Sequence, residues 1–160
     1  MQNQMNAAEQ MGAELPLVGS ATFFRLPQPG SRPNVFEGTE LAMAMSFTPG
    51  LSYWYEINLY RKTDTGFAVA IRKFYVSEEF TDTVKSHCFE TIDEAFNYIQ
   101  NYDASEDLTV PGMEIEQGSP AEIASMALSL KAEVQTARAH YSGLVGELFA
   151  EMASGEVDLN

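Results

Sequence analysis

The groups best suited to chemistry in this chain are one cysteine, two histidines and 23 acids. Thiol catalysis needs an imidazole within hydrogen-bond reach of the sulfur. His87 and Cys88 are neighbours in what reads as a strand, so their side chains leave on opposite faces. His140 lies far along the chain in a helical pattern. Cys88 is therefore expected to be a small buried hydrophobe. One cysteine and two histidines make no zinc set of usual spacing. The acids gather in two clusters, Glu78, Glu79 and Asp82, then Asp103, Glu106 and Asp107. Neither has the alternation and turn glycine of a calcium loop, and charge runs of this kind are usually solvated. A phosphate loop, a serine elbow and a dinucleotide glycine fingerprint are absent. The expectation is a protein with no catalytic residue, metal or cofactor, hence not an enzyme.

Binding is the alternative to catalysis, and the charge distribution says where to look. The 160 residues carry −14, yet residues 53–76 carry +2. That stretch sets Arg61, Lys62, Arg72 and Lys73 against Glu56 and Asp64, and interleaves them with seven aromatic rings. Residues 77–118 hold eleven acids and one lysine, a net −10. Such a charge opposes non-specific attraction to nucleic acid and anionic membranes, and favours basic partners.

The elements that must position these groups follow from periodicity. Tyr53 to Lys62 and Phe67 to Tyr75 alternate as two strands. Asp64-Thr65-Gly66 fits a three-residue hairpin loop, with Gly66 as the left-handed residue and Thr63 paired with Phe67. One face then carries Tyr53, Tyr55, Ile57, Leu59, Phe67, Val69, Ile71 and Tyr75 as core. The other carries Trp54, Glu56, Asn58, Tyr60, Lys62, Ala68, Ala70, Arg72 and Phe74. Ala21 to Leu26, Glu40 to Phe47 and Asp82 to Phe89 read as further strands. In the second of these, Leu41, Met43, Met45 and Phe47 are expected inside, with Ala42, Ala44 and Ser46 at the back.

Two capping boxes open helices. Thr91 and Glu94 start one whose Ile92, Ala95, Phe96, Ile99 and Tyr102 share a side. Ser119 and Glu122 start another, with Pro120 in the favoured first position. There Ile123, Ala127, Leu130, Val134, Ala137, Tyr141, Leu144 and Leu148 recur at alternating spacings of four and three, a heptad seam. Ser142-Gly143 and Gly146 are places where that helix could kink or turn back as a hairpin.

The fold expected is α+β. A mostly antiparallel sheet of about four or five strands packs on one helix and is followed by a long C-terminal helix. A flexible arm at 1–20 precedes the sheet and helix at 21–103. An acidic connector spans 104–118, the helical segment 119–153 and an acidic tail 154–160. Nothing at the start reads as a signal peptide, and no apolar run nears the roughly 18 residues that cross a bilayer. A cytoplasmic protein without a membrane partner is expected.

Three functions fit. The first is a non-catalytic, inhibitor-like module that engages a basic, nucleic-acid-binding site on a partner protein. Its contact surface would be Glu78, Glu79, Asp82, Asp103, Glu106 and Asp107, carboxylates standing in for phosphates. The second is single-stranded nucleic-acid binding by Trp54, Tyr60, Lys62, Arg72 and Phe74, rings that stack bases beside cations. Over residues 51–102 the layout of strands and a packed helix is similar to Pur-type and WGR-type nucleic-acid-binding modules. The Trp-Gly-Arg that names the second is missing, and no residue is carried over. The third is a homodimer joined along Ile123, Leu130, Val134, Tyr141, Leu144 and Leu148. The plainer reading of the hairpin's mixed face is that the C-terminal helix or another subunit covers it.

Overall fold

A computed structural model describes residues 22–108 and 117–155. The expected arm at 1–20, residues 109–116 of the acidic connector and residues 156–160 of the tail lie outside the described residues. Five antiparallel strands run in chain order: β1 (Thr22–Leu26), β2 (Asn34–Met45), β3 (Tyr53–Lys62), β4 (Phe67–Tyr75) and β5 (Thr83–Phe89). Helix α1 (Ile92–Asn101), a 3-10 turn (Ala104–Asp107) and helix α2 (Pro120–Ser154) follow. This is the α+β architecture the periodicities predict.

The β3–β4 hairpin pairs Arg61 with Phe67 and Tyr53 with Tyr75. That register is two residues from the one expected. Because side chains alternate with period two, a shift of two leaves every face assignment intact. Gly66 has a φ of +84°, and a Cβ there would stand 2.3 Å from the Phe89 carbonyl oxygen, so the turn and its approach to β5 both demand glycine.

Strand β2 departs from the expectation. A bulge between Glu40 and Ala42 adds one residue and exchanges the faces beyond it. Ala42 and Ala44 are buried, whereas Met43, Met45 and Phe47 are exposed. The small side chains let α2 lie close over β2, the element it touches most. Bulk on that face would hold the helix away.

The sheet curls into a half-barrel. Asn34 Nδ2 donates to Ser86 Oγ at 3.1 Å, and Ser86 Oγ donates to the Pro27 carbonyl at 2.9 Å. These bonds join β2 and the turn after β1 to β5, its far edge in strand order. Tyr60, Ala68 and Ala70 therefore face inward and pack with Leu26 and Phe36, with Phe24 against them. The convex face is the larger core: Tyr55, Ile57, Leu59, Val69 and Ile71 meet Ala95 and Ile99 of α1 and Tyr141, Leu144 and Leu148 of α2. So the mixed face of the hairpin is covered at one end by β1 and the curl of β2, and α2 docks on the opposite face.

Both capping boxes form, at Thr91 with Glu94 and at Ser119 with Glu122. Helix α2 is continuous through Gly143 and Gly146 over 35 residues, about 52 Å. Its buried positions run only from Ala137 to Met152. The half before Ala137 is exposed, save for half-buried Ile123, Leu130 and Val134.

Candidate functional site

The five residues expected to stack and hold a nucleic acid do not form one surface. Tyr60 is 3% exposed, locked between Phe24 and Phe36 inside the barrel. It cannot offer a face to a base. Lys62 lies at the hairpin tip, 3.5 Å from Asp64. Trp54 stacks on Phe74 at 5.3 Å, with Phe47 edge-on at 5.5 Å, near the other end of β3. Arg72 pairs with Glu56 at 3.3 Å. Eight residue steps along β3 separate Trp54 from Lys62, about 27 Å.

Lys73, one of the four cations behind the inverted charge, faces the core and is 2% exposed. Its ammonium sits 4.5 Å from the Tyr53 ring centre and 4.9 Å from that of Tyr75. It donates to the Asp107 carbonyl at 3.1 Å. Burying a cation is tolerated here because ring faces and a carbonyl replace its water. The net +2 of the hairpin is thus not a basic surface.

The acidic surface also divides. Glu78, Glu79, Asp82 and Glu106 are exposed, though Asp82 accepts the Tyr75 N–H at 2.9 Å. Asp107 is not part of that surface. Its side chain is 4% exposed and accepts from Lys85 Nζ at 2.9 Å and from the Tyr102 hydroxyl, with the Tyr55 hydroxyl 3.1 Å away. A carboxylate that is ringed by donors belongs inside. Burial and then Asp107 raise the Tyr55 phenol above its usual range, and burial and the bond to Asp107 do the same for Tyr102. Asp103 is clamped by Arg138 through bonds of 3.0 and 2.7 Å, which hold its carboxyl well below the usual carboxylate range.

A cleft of about 910 Å³ opens between β5 and α1. Its walls carry Glu90, Glu94, Asp103 and Glu106, and its aromatic lining includes Phe89, Tyr98 and Tyr102. Among the described residues Lys85 lines it too, paired with Asp107 and near Glu106, and Arg138 reaches its rim at Asp103. Burial pushes the Tyr98 phenol up to about 12. His87 holds its ring at a tilt 4.8 Å from Tyr98 on this side, while Cys88 leaves on the other, as neighbours in a strand must. Cys88 is exposed, not buried as expected, because β5 is the last strand of the sheet. Sequence reasoning missed the cleft. The available signal was that Glu94, Asn97 and Asn101 recur along one side of α1, with Glu90 just before its cap.

Of the residues expected to join two copies, Tyr141, Leu144 and Leu148 are buried against the chain's own sheet. The Tyr141 hydroxyl also donates to the Ile99 carbonyl at 2.7 Å. They are occupied and cannot serve a second chain. Ile123, Leu130 and Val134 lie on the projecting half.

No group of three or more histidine, cysteine and acidic side chains among the described residues is arranged to hold a metal ion. No helix among them is long and apolar enough to cross a membrane. Comparison with known protein families, curated proteins and solved structures found no match.

Proposed function

We propose that this is a non-catalytic protein-binding module that takes a basic segment of a partner protein into the cleft between β5 and α1. The observation that carries this reading is the lining of that cleft, where Glu90 and Glu106 are exposed, Glu94 caps α1 and Asp103 is held by Arg138, over a floor of tyrosine and phenylalanine rings. Carboxylates attract an arginine or lysine side chain, and ring faces accept the cation once it is partly desolvated. β5 closes one side of the sheet in strand order. A strand so placed can take up extended chain through its backbone, which would align a basic segment along the acids. The net charge of −14 adds long-range steering toward such a partner.

The test is titration with an arginine-rich peptide and an uncharged peptide of equal length, at low and moderate salt. The reading expects salt-sensitive binding of the basic peptide alone, weakened several-fold by Glu90→Gln with Glu106→Gln. Binding that survives both substitutions, or no binding at low salt, overturns it. The same titration with a single-stranded oligonucleotide decides whether Trp54, Arg72 and Phe74 hold nucleic acid without Tyr60.

A further inference from the structure

The half of α2 before Ala137 carries an apolar seam; its last turn, with Ala132, Glu133 and Thr136, flanks Tyr53 and Phe80, and the turns before it project beyond the described body. Ile123, Ala127, Leu130 and Val134 continue the same alternating line as Ala137, Tyr141, Leu144 and Leu148. From Ala137 onward that line is buried on the sheet. Before it, Ala127 is exposed, Ile123, Leu130 and Val134 are half-buried, and Met126 and Leu128 are exposed beside them. A helix of this length standing alone in water is marginal without a packed face.

We propose that this half pairs with the same segment of a second copy, antiparallel, about a two-fold axis between Leu128 and Ser129. Three observations select that occupant. The first is charge. Between Pro120 and Thr136 the only charged side chains are Glu122, Lys131 and Glu133. A basic partner finds little acid here, and self-association meets little repulsion. The second is register. Laying the segment against its own reverse puts Ile123 opposite Val134 and Ala127 opposite Leu130, each pair made twice. All four seam positions are then filled, and each small side chain meets a large one, as interdigitated layers require. Lys131 falls nearest Met126, Glu133 nearest Ala124 and Glu122 nearest Gln135, so no like charges meet. The third is continuity with the body. A parallel pair would bring two acidic bodies side by side, whereas the antiparallel one sends them to opposite ends. Each copy offers the same patch, which is the closed, isologous arrangement.

Sedimentation equilibrium of the full chain over a range of concentrations is expected to show monomer and dimer. Leu130→Glu is expected to leave monomer alone, with the thermal midpoint of the parent at dilutions where the parent is monomeric, because Leu130 precedes the docked half. Ala127→Glu repeats the test at a second seam position. Spin labels on Thr136→Cys, in a Cys88→Ser background, report direction. The antiparallel pair places the two labels about 25 Å apart and a parallel pair about 10 Å. The short distance overturns the proposal. A monomer at every concentration also overturns it, and hydrogen exchange then identifies the occupant. Protection of residues 123–134 in the monomer means the chain covers its own seam. Fast exchange there leaves the seam to a different protein.

Discussion

Asp107 takes its hydrogen bonds from Lys85 and Tyr102, with Tyr55 beside it, and its carbonyl receives Lys73. The 3-10 turn that bears it is thereby tied to β3, β4, β5 and α1. Removing one partner of a buried charged set leaves the others without water or counter-charge. Asp107→Ala is therefore expected to lower stability by about 3 kcal/mol, read as a fall in the urea midpoint. Asp107→Asn keeps an acceptor for the phenols and should cost less. The tyrosines make a separate test. Tyr60 and Tyr98 are pushed up to about 12 from 10.0 by burial, and Tyr55, Tyr102 and Tyr141 are raised further, each first by burial. Above pH 10 the unfolded chain loses phenolic protons that the folded chain keeps, so unfolding gains. Stability is complete below pH 10 and falls as pH climbs through 12. Phenolate absorbance of the folded protein should lag behind that of the urea-unfolded protein across this window. Coincident curves would show that these rings are open to water.

The two halves of α2 should respond differently to the same change. Leu148 is fully buried under the sheet's convex face, so Leu148→Ala removes transfer energy and opens a cavity, at about 3 kcal/mol. Leu130→Ala sits on the projecting half and should change the urea midpoint of the monomer by less than about 0.5 kcal/mol. Equal losses would mean that one packed face runs the whole length of the helix. The seam was legible in the sequence because its spacing is regular over eight positions. Where it stops being covered was not, because the same spacing serves a sheet or a second helix. The hairpin faces were legible for a related reason. Parity decides them, and the two-residue error in register left parity alone. β2 was misread because one bulged residue at Leu41 inverts parity, and nothing local announces it. Tyr60 and Asp107 were misplaced by long-range geometry. Tyr60 is enclosed only once Asn34 and Ser86 draw the two sides of the barrel together. Asp107 goes inside only once Lys85 and Tyr102 arrive around it.

In the whole molecule the cleft and the projecting half of α2 are different surfaces, made by different elements. The cleft belongs to β5 and α1, and the seam to residues 123–134. If α2 joins two copies, every dimer presents two acidic clefts in a fixed relation. A short basic peptide fills one cleft and gains nothing from the second. A tandem basic peptide with a linker long enough to span both gains by effective concentration, on the order of a hundredfold in avidity. Leu130→Glu should then leave the affinity for the short peptide unchanged and abolish the gain for the tandem one. Glu90→Gln with Glu106→Gln should weaken both and leave the dimer intact. The single substitution and the pair thus fail in different ways. A tandem peptide that gains nothing from the intact dimer, at any linker length, would show that the two clefts do not act on one partner.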